Sequence, residues 1–131
     1  MERGDVYLIP IDLPNRAPSG GVGSLTSRNK LVVVLRGGGP TITEDDVPIV
    51  VASTDRRKPG QGLRTFEVAV GIGEGFSHDT IIDCRWPFTL EKSRLPQSNF
   101  KFRLSGAVMQ SVSIALVSGL QMMAPPAHGG I

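Results

Sequence analysis

Apolar residues recur along the chain first at a spacing of two and later at three to four, and the change divides it. Asp5-Val-Tyr-Leu-Ile-Pro-Ile11 reads as a first strand, with Pro10 marking an edge or the strand's end. Residues 12–29 hold Pro14, Pro18 and several hydroxyl side chains and read as a long loop. Lys30 to Arg36 is β-branched and apolar on both faces, a buried strand ended by Gly37-Gly-Gly-Pro40. Val47 to Ser53 predicts another buried strand, and residues 55–63 a polar Pro/Gly loop. Over 65–71, Phe66, Val68 and Val70 alternate with Glu67 and Ala69. A turn at 72–78 leads to a strand from Thr80 to Cys84 that continues irregularly through Thr89, and residues 99–104 alternate again. Then the period lengthens. Ser105 is a helix N-cap candidate, after which Val108, Met109, Val112, Ala115 and Leu116 recur at helical spacing through Leu120. The pattern predicts a mainly β fold: a small antiparallel barrel of five to seven short strands with one C-terminal amphipathic helix.

Composition sharpens this reading. Gly 16 and Pro 10 of 131 residues fit many short strands better than a helical bundle. The length fits one domain, taken as residues 1–123 with a flexible tail at 124–131. A single cysteine, Cys84, excludes an intrachain disulfide and any multi-cysteine metal site. Leu31-Val-Val-Val-Leu35 is far shorter than the ~18 apolar residues of a membrane span. No apolar leader follows Met1, so the expected place is the cytoplasm, with no membrane partner. Aromatic residues at 5% argue against a binder built on rows of stacked bases.

Charge is uneven. The last acidic residue is Glu91; beyond it lie Lys92, Arg94, Lys101 and Arg103. A second basic cluster, Arg56-Arg57-Lys58 with Arg64, faces a single acid, Asp55. These clusters read either as solvated loops or as a surface for phosphates.

Local motifs exclude several chemistries. Gly71-Ile-Gly-Glu-Gly75 lacks the spacing of a dinucleotide loop and reads as a turn. His78, Asp79, Asp83, Cys84 and His128 do not fall at metal-ligand spacing, and no G-x-S-x-G elbow is present. Cys84 reads as a core filler, and Trp86 as a core plug rather than a base-stacking platform. Met109, Met122 and Met123 read as packing or interface residues.

Several segments in order resemble the MazF/PemK family of toxin endoribonucleases. Arg3-Gly-Asp-Val-Tyr7 is similar to the family's opening strand, Leu31–Leu35 to its second and Val47–Thr54 to its third. Thr89-Leu-Glu-Lys-Ser-Arg-Leu95 resembles a late T-x-D-K-S-R-L segment, with Glu91 in place of Asp. Leu104-Ser-Gly-Ala-Val-Met109 and the apolar positions after it resemble the terminal helix. The resemblance implies an SH3-like barrel, a homodimer, a cognate antitoxin and cleavage of single-stranded mRNA without metal or cofactor. The ribose 2′-OH would attack its own phosphate.

By position, Thr54 matches the family's catalytic threonine, whose hydroxyl would bond the scissile phosphate; a strand-end threonine capping a turn is the alternative. The family's Arg-Pro pair is absent. Lys30 aligns best by spacing, and Arg28 shares its strand parity. Arg56, Arg57, Lys58 and Arg85 would track phosphates. Some members carry a carboxylate base in the first loop; residues 13–27 contain none, which leaves His78 as a candidate. Phe88 stands where the family usually has Arg. Two other readings remain: a CcdB-like gyrase-binding toxin, although this chain ends His128-Gly-Gly-Ile131 without that type's Trp, and an inactive member that only binds RNA or antitoxin.

Overall fold

The computed structural model describes residues 1–14, 25–36 and 45–123. The inner part of the predicted first loop, Gly37–Pro40 and the predicted tail lie outside them. Among the described residues six strands form one antiparallel sheet: β1 (Asp5–Pro14), β2 (Leu25–Val34), β3 (Asp46–Thr54), β4 (Glu67–Val70), β5 (Thr80–Glu91) and β6 (Phe100–Arg103). Their order is β4-β5-β3-β2-β1-β6, and one helix, α1 (Gly106–Met123), follows. The predicted class holds, within the strand number foreseen. The edge strands β4 and β6 do not pair, so the sheet is a half-barrel. Its two edges meet through side chains: Phe102 of β6 stands edge-on to Phe76, just beyond β4, with centroids 4.8 Å apart.

Two boundaries differ from the sequence pattern. β1 runs to Pro14 and β2 begins at Leu25, paired Ile11↔Arg28 through Pro14↔Leu25, so Leu25–Asn29 is strand rather than loop. No apolar alternation marks this stretch; pairing of its backbone groups across the hairpin sustains it. β5 continues through Glu91 past Pro87. Its register against β3 shifts between Ile49↔Phe88 and Val51↔Asp83, leaving residues 84–87 bulged off that ladder. Such a bulge is where a proline fits inside a strand.

Each face of the sheet carries its own core. Val6, Val33, Val50, Ala52, Ile82 and Cys84 pack on the helix side against Met109, Val112 and Ala115. Tyr7, Ile9, Ile11, Val32, Val34 and Ile49 form a second cluster with Leu95 on the other face. Ser105 caps α1 as predicted, its Oγ accepting the Val108 N–H at 3.2 Å. Leu120, placed on the packing stripe by its spacing, is instead exposed, and with Ile114 and Val117 forms an outward apolar stripe. Trp86 is also corrected: it is 55% exposed and plugs no core. The bulge in β5 turns it outward, where the Arg85 guanidinium lies 5.4 Å from its ring centroid. Among the described residues no helix is long and apolar enough to cross a membrane.

Candidate functional site

β3 ends at Thr54 directly opposite Thr80, which opens β5. Thr80 is buried, and its Oγ1 donates to the His78 carbonyl at 2.9 Å. The Asp55 N–H donates to the Asp79 carbonyl at 3.0 Å. These two bonds fasten the 77–79 turn against the end of β3. As a result, His78 Nε2 stands 3.0 Å from Thr54 Oγ1, and His78 Nδ1 stands 2.8 Å from Ser77 Oγ. Thr54, Ser77 and His78 are all exposed. An imidazole bridging two hydroxyls at the surface is therefore built by the strand pairing.

The segment after Thr54 supplies charge. Asp55 is clamped by Arg57: Nε lies 3.1 Å from Oδ1 and Nη2 lies 2.9 Å from Oδ2, with the Arg57 N–H on Oδ1 at 3.0 Å. The Arg57 side chain, then its backbone N–H, holds the Asp55 carboxyl below the usual carboxylate range. The same bonds push the Arg57 guanidinium up. Arg56 and Lys58 on either side are exposed.

The other cations named from the sequence sit differently. Arg28 and Lys30 lie across from Ile11 and Ile9, which belong to the core on the far side from α1. Thr54 is in phase with Val50 and Ala52, on the α1 side. The pleat thus gives Thr54 one face and Arg28 with Lys30 the other. All three stand at the same end of the sheet. Continuing the Leu31↔Ala52 register past its last pair sets Asn29 across from Thr54. Asn29 also lines a cleft of about 210 Å³ with Leu8, Pro10, Ser98, Asn99 and Lys101. Arg85 is remote: five residues along β5 from Thr80 is about 16 Å. Its guanidinium sits 4.5 Å from the Phe66 centroid and 3.5 Å from Asp83.

Thr54 and His78 stand out in the sequence as candidates; Asn29 and Ser77 do not. Asn29 needs the register between β2 and β3, which no local pattern encodes. Ser77 was legible as the hydroxyl next to His78. Among the described residues no group of three or more His, Cys, Asp or Glu side chains is placed to hold a metal ion.

No protein-family model matches the chain, and no curated protein matches it. Solved structures do. An endoribonuclease in complex with its cognate antitoxin, from Mycobacterial species, superposes with a TM-score of 0.63 at 21% identity, over 95% of this chain and 99% of that one. An endoribonuclease from Mycobacterial species gives 0.63 at 20% identity, over 95% of each chain. The Mycobacterium tuberculosis toxin MazF-mt6 gives 0.59 at 14% identity, over 89% of this chain and 96% of that one. The fold is shared with these proteins over nearly their whole length.

Proposed function

We propose that the chain is a MazF-type toxin that cuts single-stranded mRNA in the cytoplasm through the ribose 2′-OH and is silenced by a cognate antitoxin. The observation that carries this reading is an exposed threonine hydroxyl at the end of β3, beside unburied cations, on a fold shared with an endoribonuclease solved with its antitoxin.

The chemistry asks little of the protein beyond placement and charge. RNA brings its own nucleophile, so DNA of the same sequence is not cut. The site must splay the strand until the 2′-oxygen lies in line with the leaving oxygen. It must also stabilise negative charge on the phosphorane. In this reading Thr54 donates its hydroxyl to a non-bridging oxygen of the scissile phosphate. Arg28 and Lys30 bring positive charge around the strand end on their long stems, Arg56, Arg57 and Lys58 contact flanking phosphates, and Arg85 meets the strand several nucleotides further along β5. The reaction draws on no metal or cofactor. The outward stripe Ile114, Val117 and Leu120 suits a homodimer contact.

Incubation of the purified chain with single-stranded RNA in EDTA tests this. Cleavage that leaves 5′-hydroxyl ends, spares DNA and drops at least 100-fold in Thr54→Ala is expected. No cleavage, or full cleavage by Thr54→Ala, overturns the assignment. A second reading, binding without cleavage, is favoured by the neutral Asn29 across from Thr54, where a guanidinium would serve the phosphate better. RNA held but left intact under all conditions decides for it.

A further inference from the structure

We infer that His78 is the general base of this site: its Nε2 takes the proton from the ribose 2′-OH while Thr54, released from it, binds the phosphate. The inference rests on the ribonuclease reading above and supplies the base which that reading leaves unassigned.

Geometry comes first. The Nε2 and Oγ1 atoms stand 3.0 Å apart on the exposed end of the sheet. In the phosphorane the attacking 2′-oxygen and a non-bridging oxygen are both bonded to one phosphorus, so the groups that serve them must stand side by side. A phosphate whose non-bridging oxygen meets the Thr54 hydroxyl therefore presents its attacking 2′-oxygen to the imidazole. Ser77 supplies the orienting contact. In the tautomer whose Nδ1–H donates to Ser77 Oγ, 2.8 Å away, the lone pair sits on Nε2 and in the free protein accepts from the Thr54 hydroxyl. The backbone fixes this arrangement, because the Thr80 hydroxyl and the Asp55 N–H grip the carbonyls of His78 and Asp79.

The neighbouring carboxylates are less well placed. Both oxygens of Asp55 are engaged by Arg57. Asp79 turns the other way, its Oδ1 lying 3.1 Å from where a Cβ on Gly71 would be. Asp83 is bonded to the Arg85 N–H at 2.9 Å.

The step balances as follows. Nε2 accepts the 2′-OH proton as the 2′-oxygen bonds to phosphorus. The P–O5′ bond breaks, and the departing oxygen takes a proton from water. The imidazolium returns its proton to the hydroxide so formed, leaving a 2′,3′-cyclic phosphate, a 5′-hydroxyl and the original imidazole.

The test compares wild type with His78→Ala, His78→Asn and Ser77→Ala. Cleavage is measured on single-stranded RNA, and binding on the 2′-O-methyl RNA of the same sequence, which has no 2′-OH to lose. Each variant's fold is checked by circular dichroism. The expected result is a loss of at least 100-fold in kcat for His78→Ala and His78→Asn, with 2′-O-methyl RNA bound within three-fold of wild type. Free imidazole restores His78→Ala at least ten-fold, which no purely structural role would allow. Ser77→Ala loses about ten-fold. Cleavage by folded His78→Ala within three-fold of wild type overturns the assignment and leaves the ribonuclease reading standing. Wild type that neither cuts RNA nor binds the 2′-O-methyl strand overturns both.

Discussion

Asp5 and Arg103 form an ion pair in which the two partners see different surroundings: Nε lies 2.6 Å from Oδ1, yet the carboxylate is 4% exposed and the guanidinium 55%. The pair ties the start of β1 to the end of β6, at the sheet edge where the half-barrel turns under α1. The Asp5 Oδ2 also accepts the Glu2 N–H at 2.8 Å. Removing the exposed partner strands a buried charge with one neutral donor, whereas removing the buried partner leaves an arginine that water can solvate. Arg103→Ala is therefore expected to cost more stability than Asp5→Ala. Urea denaturation measures both, and an equal or reversed order would show that desolvation of Asp5 does not govern this contact.

α1 packs closely on β5 at Gly119. A Cβ there would stand 2.8 Å from the Cys84 carbonyl oxygen and 2.9 Å from the Arg85 Cα, both backbone atoms that cannot step aside. Gly119→Ala gains about 1 kcal/mol of helix propensity but meets an overpacking cost of about 1–3 kcal/mol and a forced shift of the helix, so the clash is expected to win. Gly106, in the first turn of the same helix, has nothing within 4 Å of a built Cβ. Gly106→Ala should raise stability by about 0.5–1 kcal/mol. Thermal melts of the two variants should move in opposite directions, and a shared direction would refute the packing argument.

What the sequence revealed follows from what is local. The alternation of Phe66, Val68 and Val70 and the helical spacing of Met109, Val112 and Ala115 each report one face of one element. These elements and the fold class were legible for that reason. The strand character of Leu25–Asn29 was not, because its polar side chains carry no alternation and its pairing with β1 is a property of two segments. Trp86 was misplaced because a bulge inverts side-chain parity, and only the Pro87 beside it gave a hint. At the candidate site, Thr54 and His78 were readable as residue types. Their contact depends on the Thr54↔Thr80 register, and the opposite phase of Lys30 depends on the Leu31↔Ala52 register.

Cys84 has no exposed surface, and burial, with a smaller contribution from Asp83, pushes its thiol from 9.0 up to about 12. The folded protein thus keeps the thiol protonated at pH 8, and iodoacetamide should label Cys84 only after denaturant is added. The same shift sets an alkaline limit on stability. A group whose folded value is raised contributes fully below its unfolded value and loses that contribution as pH climbs toward the folded one. Tyr7 acts in the same direction, raised first by burial and then by Asp5. Stability should fall between pH 9 and about 12, and the fall should be shallower in Cys84→Ala. Rapid labelling of the native protein at pH 8 would contradict the buried placement.

Under the RNA-binding reading, the three adjacent cations after Thr54 should behave unequally. Arg56 and Lys58 are exposed, whereas the Arg57 guanidinium is engaged with Asp55 and partly cancelled by it. A phosphate contact releases counterions, and each lost contact to a single strand lowers the slope of log affinity against log salt by about 0.7. Arg56→Ala and Lys58→Ala should each reduce the slope by roughly that amount. Asp55→Ala frees the Arg57 guanidinium and removes a like charge from the path of the backbone, so it should tighten binding and steepen the slope. Arg57→Ala leaves Asp55 uncovered and should weaken binding more than either neighbour. Fluorescence anisotropy of a labelled 2′-O-methyl RNA across a potassium chloride series separates these cases. Slopes unchanged in all four variants would mean that this loop does not face the phosphates.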